Sequence, residues 1–209
     1  MQTSFTLRYL GGLGLVLLLI FSGCKESNLL QQIASDYFPI DRKCLWYYSS
    51  DGDTIEVYGG EARLIASRYA YILYIGVREE FFYKGAQEID RLFLTTINDG
   101  NKEDTLFLWT YYLPRHLLTG DEWNESYTVN DTVFGDEICF SVHILGRIVE
   151  HSGDCYVVER TTRINFSSHQ FGNKDSTVES KEWYKKGVGL SKAIINDKEY
   201  NLINYSFLD

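Results

Sequence analysis

The sequence has few prolines, few basic residues and no long apolar run after its first 23 residues. Only 2 of its 209 residues are Pro, and 20 Lys or Arg stand against 29 Asp or Glu, which gives a net charge of -9. A chain this acidic offers no surface to neutralise phosphates, so we expect no nucleic-acid binding. Because the later apolar runs fall short of about 18 residues, we expect no membrane-spanning helix there. The composition, 44% hydrophobic and 15% aromatic, predicts one globular domain.

Recognisable catalytic motifs are also lacking. We find no Gly-x-Ser-x-Gly, no phosphate-binding glycine loop and no His-Glu-x-x-His. The histidines are scattered, with none of the Cys/His spacings of zinc sites: His116, His143, His151 and His169. The sequence therefore predicts no catalytic residue, no bound metal and no cofactor.

The N-terminus carries the most specific signal in the chain. A basic residue, Arg8, precedes an apolar run from Leu10 to Phe21, which is followed by Ser22-Gly23-Cys24. This run is too short to cross a bilayer as a helix but suits a secretory signal. Phe21-Ser22-Gly23-Cys24 resembles the lipobox of bacterial lipoproteins, which implies diacylglycerol on the Cys24 thiol and cleavage before it. An ordinary secretory signal that is cut nearby is the alternative.

These observations divide the chain into three parts. We predict a signal peptide over residues 1–23, a lipidated N-terminus and short helical tether over 24–36, and a single β domain over 37–209. Acyl chains on Cys24 would anchor the protein to a membrane without spanning it. Lys25 follows the cysteine. In Gram-negative lipoproteins an Asp there resembles an inner-membrane retention signal, so Lys25 favours the outer membrane, facing either the periplasm or the cell surface.

The rest of the chain predicts strands rich in Tyr, Ile, Val and Phe, separated by turn signals such as Asp51-Gly52 and Ser152-Gly153. The regular spacing favours a mainly β fold, with one antiparallel meander that forms a barrel or a curved half-barrel. The predicted strands are Leu45–Ser49, Thr54–Tyr58, Arg63–Val77, Glu80–Tyr83, Arg91–Ile97, Thr105–Tyr112, Ser126–Val133, Glu137–Leu145, Arg147–Glu150, Cys155–Asn165, Thr177–Trp183, Leu190–Ile195 and Tyr200–Phe207.

Some predicted strands are apolar on both faces, notably Tyr69–Ile75 and Leu106–Trp109. Ordinary packing, a short helix, another sheet or an apolar ligand in a barrel lumen could cover the second face.

With Cys24 lipidated, Cys44, Cys139 and Cys155 remain. We expect them as buried free thiols. A hairpin that turns at Ser152-Gly153 would place Cys139 opposite Phe166, too far from Cys155 for a disulfide.

Three groups of residues carry a family resemblance. They are Tyr37-Phe38-Pro39-Ile40 with Leu45-Trp46-Tyr47-Tyr48, then Leu113-Pro114 with Leu117-Leu118-x-Gly120-Asp121-x-Trp123, and finally Gly153–Glu159 with Glu182-Trp183-Tyr184-x-x-Gly187-Val188-Gly189-Leu190-x-Lys192. Together they resemble uncharacterised bacterial envelope lipoproteins. The resemblance implies an antiparallel β domain and carries no known activity or site. Trp46, Trp123 and Trp183 each lie beside a turn signal, so we expect all three to be buried.

Three Asp-Thr-apolar triplets begin at Asp53, Asp104 and Asp131. They resemble the O-glycosylation signal of exported Bacteroidota proteins, which makes Thr54, Thr105 and Thr132 candidate acceptors. Alternatively, each Asp ends a turn and each Thr starts a strand.

Two function classes stay open. The first is a non-enzymatic envelope lipoprotein whose β domain binds a partner protein, a glycan or an apolar ligand. The second is a hydrolase of envelope polymers that uses an acidic pair in a cleft, with Glu79-Glu80 and Asp121-Glu122 as candidates. An open apolar cavity would favour ligand binding, and converging carboxylates would favour the hydrolase.

Overall fold

The computed structural model describes residues 36–208, which form one sheet of twelve antiparallel strands. This confirms the predicted all-β meander. Cys24 and the predicted helical tether lie outside the described residues. The strands are β1 (Cys44–Ser50), β2 (Asp53–Ile65), β3 (Arg68–Ile75), β4 (Arg78–Lys84), β5 (Glu88–Asn98), β6 (Glu103–Pro114), β7 (Glu122–Val133), β8 (Asp136–Ser152), β9 (Cys155–Ser168), β10 (Lys174–Lys185), β11 (Gly189–Ile195) and β12 (Lys198–Phe207).

The strand order is β6-β5-β4-β3-β2-β1-β12-β11-β10-β9-β8-β7, so the first and last strands are neighbours in the middle of the sheet. Cys44 pairs with Phe207 at the start of the β1–β12 ladder. The edge strands β6 and β7 approach each other, and the Tyr111 backbone N–H donates to the Tyr127 hydroxyl at 3.0 Å. We call the β6–β7 junction the seam. The sheet is thus a nearly closed barrel, open only along the seam.

Several strand boundaries differ from the predicted ones. The predicted strand Arg63–Val77 is two strands, because Ala66 and Ser67 form a turn in which both residues have positive φ. In the opposite sense, the predicted strands 137–145 and 147–150 are one strand, β8, which continues through Gly146. A Cβ on Gly146 would lie 2.1 Å from the indole of Trp123, so only glycine lets the indole pack there.

The β8–β9 hairpin turns at Gly153-Asp154, one residue later than the predicted Ser152-Gly153, so its predicted register was wrong. Cys139 lies opposite Ser167, and Cys155 lies opposite Ser152. Beyond the turn, a bulge between Ile148 and Glu150 shifts the pairing by one residue, which periodicity alone does not indicate. Cys44 is buried as predicted, whereas Cys139 and Cys155 are free thiols that are only partly buried.

The core lies inside the barrel, where alternate residues of each strand face inward. In β1 these are Cys44, Trp46 and Tyr48, all buried. We call residues 37–40 the plug, because Phe38 and Ile40 of this segment are buried in the same core. Phe38 packs against Phe82 with ring centroids 5.1 Å apart. The plug therefore fills part of the barrel interior.

The plug and β1 meet the Gly187–Leu190 segment. The Trp46 indole N–H donates to the Val188 carbonyl at 2.8 Å, and the Tyr48 hydroxyl donates to the Leu190 carbonyl at 2.7 Å. A Cβ on Gly189, where φ is +96°, would lie 3.2 Å from Pro39. The opening and closing sequence motifs are thus neighbours in space.

A second, smaller hydrophobic cluster lies on the outer face of the sheet. It contains Ala70, Ile72, Phe81 and Leu92, with Trp109 packed against them. The start of β3 extends past its ladder with β4, so that Arg68 reaches Asp90 of β5. The second apolar face of β3 is therefore covered by ordinary packing. Among residues 36–208 no helix is both long and apolar enough to cross a bilayer.

Candidate functional site

The barrel interior contains a cavity of about 420 Å³. This lies within the range of small-molecule binding sites. Strands from both halves of the sheet and the plug line it, including the apolar side chains of Trp46, Leu73, Phe82, Ile164 and Leu190. The charged residues of the lining are Arg78, Glu80, Arg91, Arg160 and Glu182. The cavity is therefore an apolar chamber with charges at a few places.

Its most buried charges are Arg160 of β9 and Glu182 of β10, whose side chains are 5% and 6% exposed. The Arg160 Nη1 donates to both carboxylate oxygens of Glu182, at 2.9 and 3.1 Å. The carboxylate also accepts from the hydroxyls of Tyr184 at 2.5 Å and of Ser180 at 2.7 Å. Glu182 is therefore fully satisfied, as a buried carboxylate has to be.

Arg160 itself is only partly satisfied. Its Nε and Nη2 are buried and donate to no acceptor in the part of the chain that the structure describes. The Tyr112 ring covers one face of the guanidinium, 3.8 Å from Cζ. Leaving buried donors of a charged group without acceptors is costly, so this arrangement is unusual for a purely structural ion pair.

The phenols around this pair keep their protons. Burial and the Glu182 carboxylate raise the pKa of Tyr112 and of Tyr184, and the nearby arginines oppose this increase only in part. Burial also raises the pKa of Tyr48. Burial alone would lower the pKa of Arg160, but Glu182, Tyr112 and Tyr184 together outweigh it and hold that pKa above its ordinary value. The Arg160 guanidinium therefore stays charged and the three phenols stay neutral across the physiological range.

A second ion pair lies along the cavity wall. Arg91 of β5 donates to Glu80 of β4 with Nη2 and Oε2 2.6 Å apart, and its Nε is buried without an acceptor among residues 36–208. The Arg91 charge also acts on the Tyr112 phenol and opposes the rise in its pKa. Arg78 lines the cavity as an exposed residue and lacks a carboxylate partner in the described part of the chain.

Arg160 and Glu182 belong to no catalytic motif of the sequence. The alternation of side chains along their strands nevertheless indicates that both face inward. In β9, Val158, Arg160 and Thr162 share one face, and in β10 Ser180, Glu182 and Tyr184 share one face. Since Val158 and Tyr184 predict inward faces, the alternation puts Arg160 and Glu182 inside. The β9–β10 register then places Glu182 opposite Val158, one inward position away from Arg160.

The adjacent acidic pairs do not converge. Successive side chains of a strand point to opposite faces, so Glu80 lines the cavity while Glu79 is exposed and near Arg63 on the outside. Asp121 and Glu122 lie just before and at the start of β7, away from the cavity lining. The four histidines contribute to no metal-binding group, since no cluster of three His, Cys, Asp or Glu occurs in the described range.

The three candidate glycosylation sites lie in different settings. Thr54 and Thr132 are exposed, and Thr105 is partly buried with its hydroxyl 3.4 Å from that of Thr96. Asp104 and Asp131 each accept a hydrogen bond from the backbone N–H of the following threonine, at 2.8 and 2.7 Å. Those two Asp-Thr pairs therefore also have a local structural role.

The prediction for Trp183 is wrong, whereas those for Trp46 and Trp123 are confirmed because both are buried. Trp183 faces outward and is only partly buried. Lys181 and Lys192 lie over its ring, 5.8 and 5.3 Å from the centroid. Leu190 pairs with the inward-facing Tyr184 and does not cover the indole.

Comparisons with known proteins give no relative from which a site could be transferred. No family model, no curated protein and no solved structure matches this chain.

Proposed function

We propose that this protein is a lipid-anchored lipoprotein of the bacterial cell envelope, of the outer membrane, whose barrel binds an apolar ligand. The observation that supports ligand binding is the cavity of about 420 Å³ inside the barrel. A protein needing only a stable core would fill such a space, because each void in a core lowers stability. Several aromatic and aliphatic side chains offer an apolar molecule a wall to pack against.

The anchor rests on the Phe21-Ser22-Gly23-Cys24 sequence. Cells that express the chain and grow on labelled palmitate should label the wild type and leave Cys24→Ala unlabelled. Ser22→Thr keeps the cysteine and serves as the matched control, which should still be labelled. Equal labelling of wild type and Cys24→Ala would refute the anchor.

Ligand binding is tested with decanol, a neutral alkyl probe, on the full-length chain carrying Cys24→Ala. This change removes the proposed acylation site, so that no attached acyl chain competes. We expect saturable binding by calorimetry. Leu190→Phe should fill part of the cavity and weaken binding at least tenfold, while Leu64→Phe, at an exposed position outside the cavity lining, should not.

Circular dichroism of both variants checks that they fold. Decanol binding that Leu190→Phe leaves unchanged would place the ligand outside the barrel and contradict the proposal.

A further inference from the structure

The partly satisfied guanidinium of Arg160 narrows the ligand class. The Nε and Nη2 hydrogens of arginine lie on one edge of a planar group and form a fork that matches the two oxygens of a carboxylate. In Arg160 this whole edge lacks an acceptor among the described residues, while the Nη1 edge is engaged by Glu182. Glu182 already accepts from Arg160, Ser180 and Tyr184, so it cannot take the second edge as well.

Charge around the cavity favours an anion too. The lining holds three arginines and two glutamates. Glu80 pairs with Arg91 and Glu182 pairs with Arg160, which leaves one positive charge in excess. The N–H groups of Arg160 lie in the guanidinium plane, so an acceptor has to approach in that plane, whereas the Tyr112 ring covers one face. Such an approach is the geometry of bidentate carboxylate binding.

We propose that the cavity binds a single-chain amphiphile with a carboxylate head. Because Arg160 Nε and Nη2 are buried in this structure, the guanidinium has to shift toward the cavity for the two carboxylate oxygens to accept from them. The alkyl chain then packs along Trp46, Leu73 and Leu190. This deepens the proposed function and rests on it. Arg78, exposed and part of the lining, would attract the anion toward the cavity.

The test compares decanoate, decanol and acetate on the full-length chain carrying Cys24→Ala, by isothermal titration calorimetry. Hydrogen bonds to charged groups predict that decanoate binds about tenfold to a hundredfold tighter than decanol. Each methylene removed from the alkyl chain should weaken binding about fourfold, so acetate should not bind measurably.

The decisive variant is Arg160→Lys, which keeps a positive partner for Glu182 but removes the forked edge. It should bind decanoate no tighter than decanol, with decanol binding unchanged. Arg147→Lys is the matched control: Arg147 also pairs with a glutamate, Glu159, but on the exposed surface. This control should keep the full preference for decanoate. Urea unfolding shows whether both variants fold.

Each other outcome contradicts a distinct statement. If the wild type binds decanol and decanoate equally, or Arg160→Lys keeps the preference, the carboxylate head is refuted while apolar binding stands. If acetate binds as tightly as decanoate, the site takes a small anion and the amphiphile is refuted. If neither decanoate nor decanol binds, this inference and the proposed ligand function both fail.

Discussion

Arg160 and Arg68 each pair with a carboxylate and lie over an aromatic ring, Arg160 inside the barrel and Arg68 outside. Inside, the Arg160 and Glu182 side chains are 5% and 6% exposed. Outside, Arg68 and Asp90 are 40% and 12% exposed, and Arg68 lies 5.0 Å from the Tyr83 ring centroid and 5.4 Å from that of Trp109.

The two pairs differ in what the remaining N–H groups of each arginine contact. Water reaches the exposed Arg68, so its unused N–H groups need no protein acceptor. Water access cannot explain the buried Nε and Nη2 of Arg160. The outer pair thus holds the start of β3 against β5, a structural role. The inner pair leaves two buried donors of Arg160 without an acceptor among the described residues.

The largest expected effect comes from removing the carboxylate of the inner pair. Glu182→Ala leaves the Arg160 charge buried without a partner, and should lower the free energy of unfolding by about 3 to 5 kcal/mol in urea titrations. Glu159→Ala, which removes the exposed partner of Arg147, should cost less than about 1 kcal/mol.

A double variant separates charge from packing at the inner pair. Arg160→Met combined with Glu182→Leu removes both charges, and should be far more stable than Glu182→Ala alone. If Glu182→Ala lowered the free energy of unfolding no more than Glu159→Ala does, the inner pair would be solvated like an exposed one. The inner and outer pairs would then not differ.

The next effect appears at alkaline pH. The folded state holds the protons of Tyr48, Tyr112 and Tyr184 above their ordinary pKa of 10.0, whereas the unfolded chain releases them. Their contribution is therefore complete below about pH 10 and is lost as pH rises above it, by up to about 1.4 kcal/mol per tyrosine and pH unit. Urea titrations across this range measure the slope.

Removing one inner phenol should flatten that slope. We expect this for Tyr48→Phe, and no change for Tyr69→Phe, whose side chain is 70% exposed. Identical slopes for wild type and Tyr48→Phe would mean that Tyr48 ionises freely in the folded protein.

The smallest effect is expected at the outer pair. Burial raises the pKa of Asp90 although Arg68 donates to it, so the ionised carboxylate is slightly less favoured in the folded chain than in the unfolded one. Asp90→Asn keeps the shape and a hydrogen-bond acceptor, and should change the free energy of unfolding by less than about 1 kcal/mol at neutral pH. A loss as large as that for Glu182→Ala would make both pairs equivalent.

The sequence predicts the meander well because its turns carry strong local signals, such as Asp51-Gly52 and Ser152-Gly153. It fails where neighbours in space decide. Nothing local shows that Trp123 packs on Gly146 and keeps β8 continuous, or that Ala66 and Ser67 form a turn. Trp183 was misplaced because its neighbour Tyr184, and not Trp183, takes the inward position of β10.

The inner cluster was missed although its strand alternation could be read. Arg160 lies at an inward position of β9, but an arginine in a strand is usually exposed, and only Glu182 on the next strand makes its burial tolerable. Such partners are separated in sequence by an entire hairpin. The burial of two paired charges therefore depends on how the strands of the sheet pair, and the sequence of one strand alone does not predict it.

The position of the seam has a consequence for the order in which the barrel assembles. Most ladders join consecutive strands through short turns, whereas the β1–β12 ladder joins Cys44 to Phe207, near the two ends of the domain. Closing a long loop costs more chain entropy than closing a short hairpin, so local contacts form sooner. Two meanders of six strands, divided at the seam, are therefore expected to form first. Their docking through β1 and β12, with Trp46 bonded to Val188, is the slow step that creates the cavity.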